Sequence, residues 1–130
     1  MYSKLLCLIF FPLFFISCQG QTAETIKTID ANLFAQKLKA TPNAQLLDVR
    51  TPDEFNIEHI NNAVNVNWNG ADFVSKANNY DKTKPVFVYC KVGGRSASAA
   101  NKLAGMGFKE IYNLEGGIMK WNATGNGKQN

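Results

Sequence analysis

The run Cys90-Lys91-Val92-Gly93-Gly94-Arg95-Ser96 places one thiol, two cations, two glycines and a hydroxyl within a few consecutive residues. It follows the apolar run Pro85-Val86-Phe87-Val88-Tyr89, so a buried strand delivers the thiol directly into a tight loop. The small-residue stretch from Ser96 to Ala104 reads as a helix, which sets the loop at a helix N-terminus. A cysteine there, beside Lys91 and Arg95, has its thiolate favoured by the helix dipole, the loop amides and both cations. Gly93 and Gly94 permit a backbone in which successive N–H groups converge on one anion. The chemistry of such a set is nucleophilic attack by sulfur, with Lys91, Val92, Gly93, Gly94, Arg95 and Ser96 as the cradle for an anion. A merely structural cysteine would gain nothing from these neighbours.

A nucleophile of this kind needs a rigid frame, and strands alternate with helices along the chain. Thr25 to Ile29 reads as an edge strand, and Asp30 caps a helix carrying Leu33, Phe34 and Leu38 on one side. Gln45 to Val49 is a second strand, apolar enough to be central. Thr51 at N-cap, Pro52 at N1 and Glu54 at N3 form a capping box that opens a short helix through Phe55 and Ile57. A short strand over Ala63 to Val66 and a helix over Ala71 to Ala77 come next. After the cysteine loop and its helix, Gly105 and Gly107 supply a stop, and Glu110 to Leu114 is the fifth strand. Gly116-Gly117 turns into a last short helix with Met119 and Trp121, and the tail Thr124 to Asn130 is polar and expected to fray. Strand–helix alternation without hairpin signals predicts an α/β fold with a parallel sheet.

The 130 residues, 45% hydrophobic, suffice for one core, which we place in a domain over residues 25–122 with residues 123–130 as a polar tail. A net charge of +4 is spread over scattered lysines, with no basic run to suggest nucleic-acid binding. Residues 1–17 differ in kind: Lys4, then the apolar block Leu5 to Ile16, then Ser17, read as a cleaved secretory signal. The block is too short for a spanning helix, which needs about 20 residues. Phe15-Ile16-Ser17-Cys18 resembles a bacterial lipobox, which implies cleavage before Cys18, lipid on its sulfur and a linker over residues 18–24. The alternative is a plain cleaved signal. The expected location is extracytoplasmic, membrane-anchored and periplasm-facing. With Cys7 removed and Cys18 acylated, Cys90 is left as the one free thiol and no disulfide can form.

With these pieces in place, the chain resembles a single-domain rhodanese over residues 25–121. Asp48-Val49-Arg50 with Glu54-Phe55, then His59-Ile60 with Ala63, matches a first family signature. Cys90 to Arg95 matches the six-residue active loop, and Gly107-Phe108, Asn113-Leu114-Glu115-Gly116-Gly117 and Trp121 match the closing signature. The resemblance implies a three-layer α/β/α fold with a five-stranded parallel sheet of order 3-2-4-5-1, the cysteine loop lying at the switch point between strands two and four. It also implies a sulfurtransferase. The Cys90 thiolate would take the outer sulfur of a small anionic donor, thiosulfate or a persulfide, and pass it to a thiol or cyanide. The Cys90 persulfide would be the only intermediate, with no metal and no separate cofactor.

In that scheme Lys91 and Arg95 hold the donor's negative end, and Asp48 and Arg50 brace the loop. His59 is structural, because a low-pKa thiolate needs no base. Trp68 and Trp121 pack, and Glu115 lies in the closing turn. The chain departs from the family pattern at Glu58 and Asn62, where glycine is frequent, and at Lys91, where Arg is common. Asn62 tolerates a left-handed backbone, so the turn survives. Glu54 stands where two-domain thiosulfate enzymes carry an anion-binding Arg, which weighs against thiosulfate as natural donor. Phosphatases and arsenate reductases share a Cys-to-Arg loop but use one residue more. The remaining alternatives are an extracytoplasmic thiol redox sensor and a non-catalytic binding module. No apolar repeat suggests oligomerisation, so a monomer is expected.

Overall fold

A computed structural model describes residues 24–128, and the signal segment 1–17, Cys7, Cys18 and most of the linker lie outside the described residues. Strands β1 (Ile26–Ile29), β2 (Gln45–Asp48), β3 (Val64–Asn65), β4 (Val86–Tyr89) and β5 (Ile111–Leu114) alternate with helices α1 (Ala31–Ala40), α2 (Pro52–Ile57), α3 (Phe73–Ala77), α4 (Gly94–Gly105) and α5 (Gly117–Ala123). The sheet is five-stranded with order β1-β5-β4-β2-β3, which read from the other edge is the expected 3-2-4-5-1. Every neighbouring pair is parallel.

Period-two alternation in the strands decides which helix covers which face. Leu47, Val86, Val88 and Ile111 pack against Ala99, Ala100 and Leu103 of α4 and Phe73 and Ala77 of α3. Leu46, Phe87, Tyr89, Tyr112 and Leu114 point the other way, onto Phe34 of α1 and Ile118 and Trp121 of α5. Trp121 meets Phe34 edge-on at 6.2 Å and Trp68 meets Phe73 edge-on at 4.9 Å, so both tryptophans pack as expected. Strand β4 is buried on both sides and reads as a continuous apolar run, β2 centres on the buried pair Leu46-Leu47, and their C-terminal ends share the middle of the sheet.

Three boundaries differ from expectation. The helix after the cysteine loop begins at Gly94 rather than Ser96, because Gly93, at φ 113°, supplies the cap and leaves Gly94 in helical geometry. The third strand shrinks to Val64–Asn65, since only Leu47 and Asp48 pair with it. Part of the polar tail takes regular structure: a 3-10 turn over Asn126–Lys128 follows α5, and Asn126 Nδ2 reaches Thr124 Oγ1 at 2.7 Å and Asn32 Oδ1 at 3.4 Å. Asn62 takes the left-handed backbone its turn requires, with φ 66°.

Candidate active site

The site is assembled where β2 and β4 end side by side. Asp48 and Tyr89 are register partners, and the Val49 N–H donates to the Tyr89 carbonyl at 3.0 Å, so the residues that follow each strand emerge together. Cys90 is the first residue beyond β4 and is 1% exposed. Its Sγ accepts the Gly93 N–H at 3.1 Å and lies 3.3 Å from Ser96 Oγ. Gly93 can aim its N–H inward only through its positive φ, which a residue with a Cβ rarely adopts. Gly94 carries no such demand, and a Cβ there would meet nothing within 4 Å.

Burial by itself would push the Cys90 thiol up, yet the thiol is held below its ordinary value. The Ser96 hydroxyl and the N–H groups of Ser96, Gly93 and Val92 outweigh the desolvation. The thiolate is thus stabilised by the loop backbone and by a buried serine; Lys91 is exposed and contributes through no contact with the sulfur. Removing the serine hydroxyl tests this. Ser96→Ala is expected to raise the thiol pKa, so the pH profile of Cys90 alkylation by iodoacetamide moves to higher pH. The rate at pH 7 should fall about tenfold, the scale of one hydrogen bond to a charged group. An unchanged profile would return the stabilisation to other groups.

Arg95 is not free to receive an anion. Its Nη1 and Nη2 donate to Glu54 Oε1 and Oε2 at 2.7 and 2.9 Å, a two-toothed bridge from α4 to α2. The capping box of α2 forms, with Thr51 Oγ1 accepting the Glu54 N–H at 3.3 Å, but the strongest partner of the Glu54 carboxylate is Arg95. That guanidinium holds the carboxyl down at about 2 against the opposing effect of burial. Sequence reasoning missed the pair because the two residues are forty-one positions apart. The one available signal was a carboxylate at N3 of a helix that starts just after β2, next to a loop that starts just after β4.

Asp48 and Arg50 form a second, buried pair. Arg50 Nη2 donates to Asp48 Oδ2 at 2.6 Å and to the Glu58 carbonyl at 2.7 Å, and the Arg50 N–H donates to Asp48 Oδ1 at 2.9 Å. Asn65 Nδ2 donates to the carbonyls of both, at 3.1 and 2.8 Å. The guanidinium lies 5.7 Å from the Tyr89 ring centre, and Tyr89 Oη accepts the Ile60 N–H at 3.0 Å. The pair therefore ties the segment after α2 to the end of β4; its hydrogen bonds go to that segment and to β3, with the cysteine loop one residue away. His59 is exposed, stacks on Phe55 at 3.9 Å, and places Nδ1 2.9 Å from the Phe55 carbonyl. Glu115 is exposed, and its N–H donates to the Ile29 carbonyl at 2.9 Å.

The loop is held from the far side by α5. The Ile118 N–H donates to the Cys90 carbonyl at 2.9 Å and the Met119 N–H to the Lys91 carbonyl at 3.2 Å. Gly117, at φ 60°, lets the two backbones meet: a Cβ there would lie 2.5 Å from the Cys90 carbonyl oxygen. This is the structural work of the Gly-Gly turn. Among the described residues no group of three or more His, Cys, Asp or Glu side chains is arranged to hold a metal ion.

Comparison with known proteins agrees with this geometry. A family model described as a rhodanese-like domain matches residues 30–124. Thiosulfate sulfurtransferase GlpE of Pseudomonas savastanoi pv. phaseolicola is 43% identical over 82 residues, covering 62% of this chain and 74% of that protein. The protein of the same name from Ectopseudomonas mendocina is 40% identical over 91 residues, covering 69% of this chain and 80% of that one. Among solved structures, a rhodanese-like domain protein from Staphylococcus aureus superposes with a TM-score of 0.66 at 28% identity, covering 73% of this chain and 90% of its own. A buried cysteine ringed by loop N–H groups at the switch point of a parallel sheet in this strand order, together with these matches, places the chain in the rhodanese-like domain family.

Proposed function

We propose that Cys90 takes the outer sulfur of a small anionic donor, thiosulfate or an organic persulfide, carries it as a persulfide, and yields it to a thiol or to cyanide. The chain is a rhodanese-type sulfurtransferase. The observation that carries the reading is the surroundings of the Cys90 sulfur: a thiolate favoured by the Gly93 N–H, the Ser96 hydroxyl and neighbouring amides. A thiol pKa held below its ordinary value favours the attacking anion, and the same amides suit the charge of the persulfide that follows. The sulfurtransferase names of the Pseudomonas savastanoi and Ectopseudomonas mendocina relatives support the same chemistry.

The steps balance without a further reagent. The thiolate pair forms a bond to the outer sulfur of thiosulfate, the S–S bond breaks, and sulfite leaves with that bond's electrons. A second nucleophile then attacks the outer persulfide sulfur and releases the Cys90 thiolate. We propose further that the mature chain begins at an acylated Cys18 and acts outside the cytoplasm, a reading supported by the order of residues around Cys18.

One experiment tests both parts: intact mass of the full chain extracted from membranes, before and after thiosulfate or cysteine persulfide, and again after cyanide. The expected result is an acylated terminus at Cys18 and a gain of one sulfur on the Cys90 peptide that cyanide removes. No gain with either donor would overturn the sulfurtransferase reading. A mature terminus without lipid would overturn the anchoring and leave the sulfur chemistry standing.

A further inference from the structure

We propose that Glu54 is a specificity-determining residue, setting the site against doubly charged sulfur donors and in favour of singly charged donors that carry an organic group. The proposal rests on the persulfide reading of Cys90. The only guanidinium in the cysteine loop already has a carboxylate on it: both terminal nitrogens of Arg95 are taken by the two oxygens of Glu54, at 2.7 and 2.9 Å. The pair is part-buried, with side chains 28% and 30% exposed, so solvent screens it only in part.

Glu54 stays charged throughout the neutral range, since Arg95 holds its carboxyl at about 2. Arg95 in turn is kept charged by Glu54 first and, more weakly, by the negative Cys90 and Asp48. The guanidinium is thus bound to the Glu54 carboxylate and interacts only weakly with the Cys90 sulfur. An incoming donor meets two fixed negative charges and a cation that is already matched. Each negative charge on the donor is repelled by Glu54, so a dianion is opposed about twice as strongly as a monoanion of the same shape. Lys91 is exposed and offers a solvated charge in place of a fixed fork.

The rim suits an organic body. Val92 of the loop is 66% exposed and Met119 of α5 is 54% exposed, and the Met119 N–H bonds to the Lys91 carbonyl, so both apolar side chains flank the loop that carries the nucleophile. For an organic persulfide, the Cys90 thiolate bonds to the outer sulfur, the old S–S bond breaks, and the organic thiolate leaves with its electron pair. For thiosulfate the same displacement releases sulfite carrying two charges beside Glu54.

The test compares thiosulfate with methanethiosulfonate, in which a methyl group replaces one charged oxygen, for wild type, Glu54→Gln and Glu54→Asp. The readout is kcat/KM for cyanide-dependent sulfur release, with thermal melting to follow the fold. Glu54→Gln is expected to raise the thiosulfate-to-methanethiosulfonate ratio of kcat/KM about tenfold, the scale of removing one partly screened charge from contact with a second. Glu54→Asp keeps the charge and is expected to keep the wild-type ratio, even where a shorter side chain lowers stability. Both donors loading Cys90 with the same ratio in all three chains would overturn the role of Glu54 while leaving persulfide transfer intact. Failure of both donors on every chain would overturn the persulfide reading and this proposal with it.

Discussion

Cys90→Ser is expected to fold with near wild-type stability and to take up no sulfur from any donor. The two halves of this expectation come from the same pocket. The site is buried, and its partners are a backbone N–H from Gly93 and the hydroxyl of Ser96. A serine hydroxyl can accept the first and share a hydrogen bond with the second, so the swap leaves no buried donor unpaired. The change in stability should stay within about 1 kcal/mol, the net worth of an ordinary hydrogen bond. Chemistry has no such substitute. The loop holds the thiol below its ordinary value, but an alcohol starts far higher, and oxygen cannot form the sulfur–sulfur bond on which the cycle depends. Sulfur uptake, read by intact mass, and thiocyanate production should both fall to background, a loss of at least about a thousandfold when a covalent nucleophile is removed. Retention of half the uptake would mean that the sulfur resides elsewhere.

Gly117→Ala is expected to be the most damaging single methyl group in the described residues. The position has φ 60°, and the added carbon would sit 2.5 Å from the Cys90 carbonyl oxygen, against backbone rather than against a side chain that could swing away. The left-handed conformation costs about 1–2 kcal/mol for a residue with a Cβ, and forcing apart two packed backbones adds about 1–3 kcal/mol. Relief comes only by moving α5 or the loop, and either motion breaks the bonds from the Ile118 and Met119 N–H groups to the Cys90 and Lys91 carbonyls. The variant should melt well below wild type and lose sulfur-transfer rate by more than tenfold. Gly94→Ala is the matched control, because a Cβ there meets nothing within 4 Å and the backbone is helical. Wild-type rate in Gly117→Ala would show that the contact is dispensable.

Local patterns carried most of the fold. Pro85 to Tyr89 and Gln45 to Val49 read as strands because each centres on apolar residues and is bounded by turn residues, and α2 read as a helix because Thr51 and Pro52 suit its first turn. The cysteine loop was legible for a similar reason: its residues are consecutive. The strand order came with the family resemblance, and what escaped was particular contacts between distant segments. The Glu54–Arg95 bridge, the packing of Gly117 on the Cys90 carbonyl, and the seating of Asn126 on Asn32 all join residues far apart in the chain. The origin of the low thiol pKa was legible in part: the expected loop amides do act on the sulfur, whereas the expected cations are turned elsewhere. Net charge in the loop pointed to Lys91 and Arg95, whereas orientation decides: Lys91 faces solvent, Arg95 faces Glu54, and the groups aimed at the sulfur are a hydroxyl and amides. Charge is visible in a sequence and direction is not.

Helix α5 grips the cysteine loop through two main-chain bonds, and a main-chain bond is indifferent to which side chain its residue bears. At Met119 the amide holds the loop while the side chain is 54% exposed beside it. At Val92, 66% exposed, the side chain again belongs to the outer surface. Positions 92 and 119 can thus be exchanged by mutation to refashion the outer surface beside the loop, while the hold on the nucleophile passes unchanged from one variant to the next.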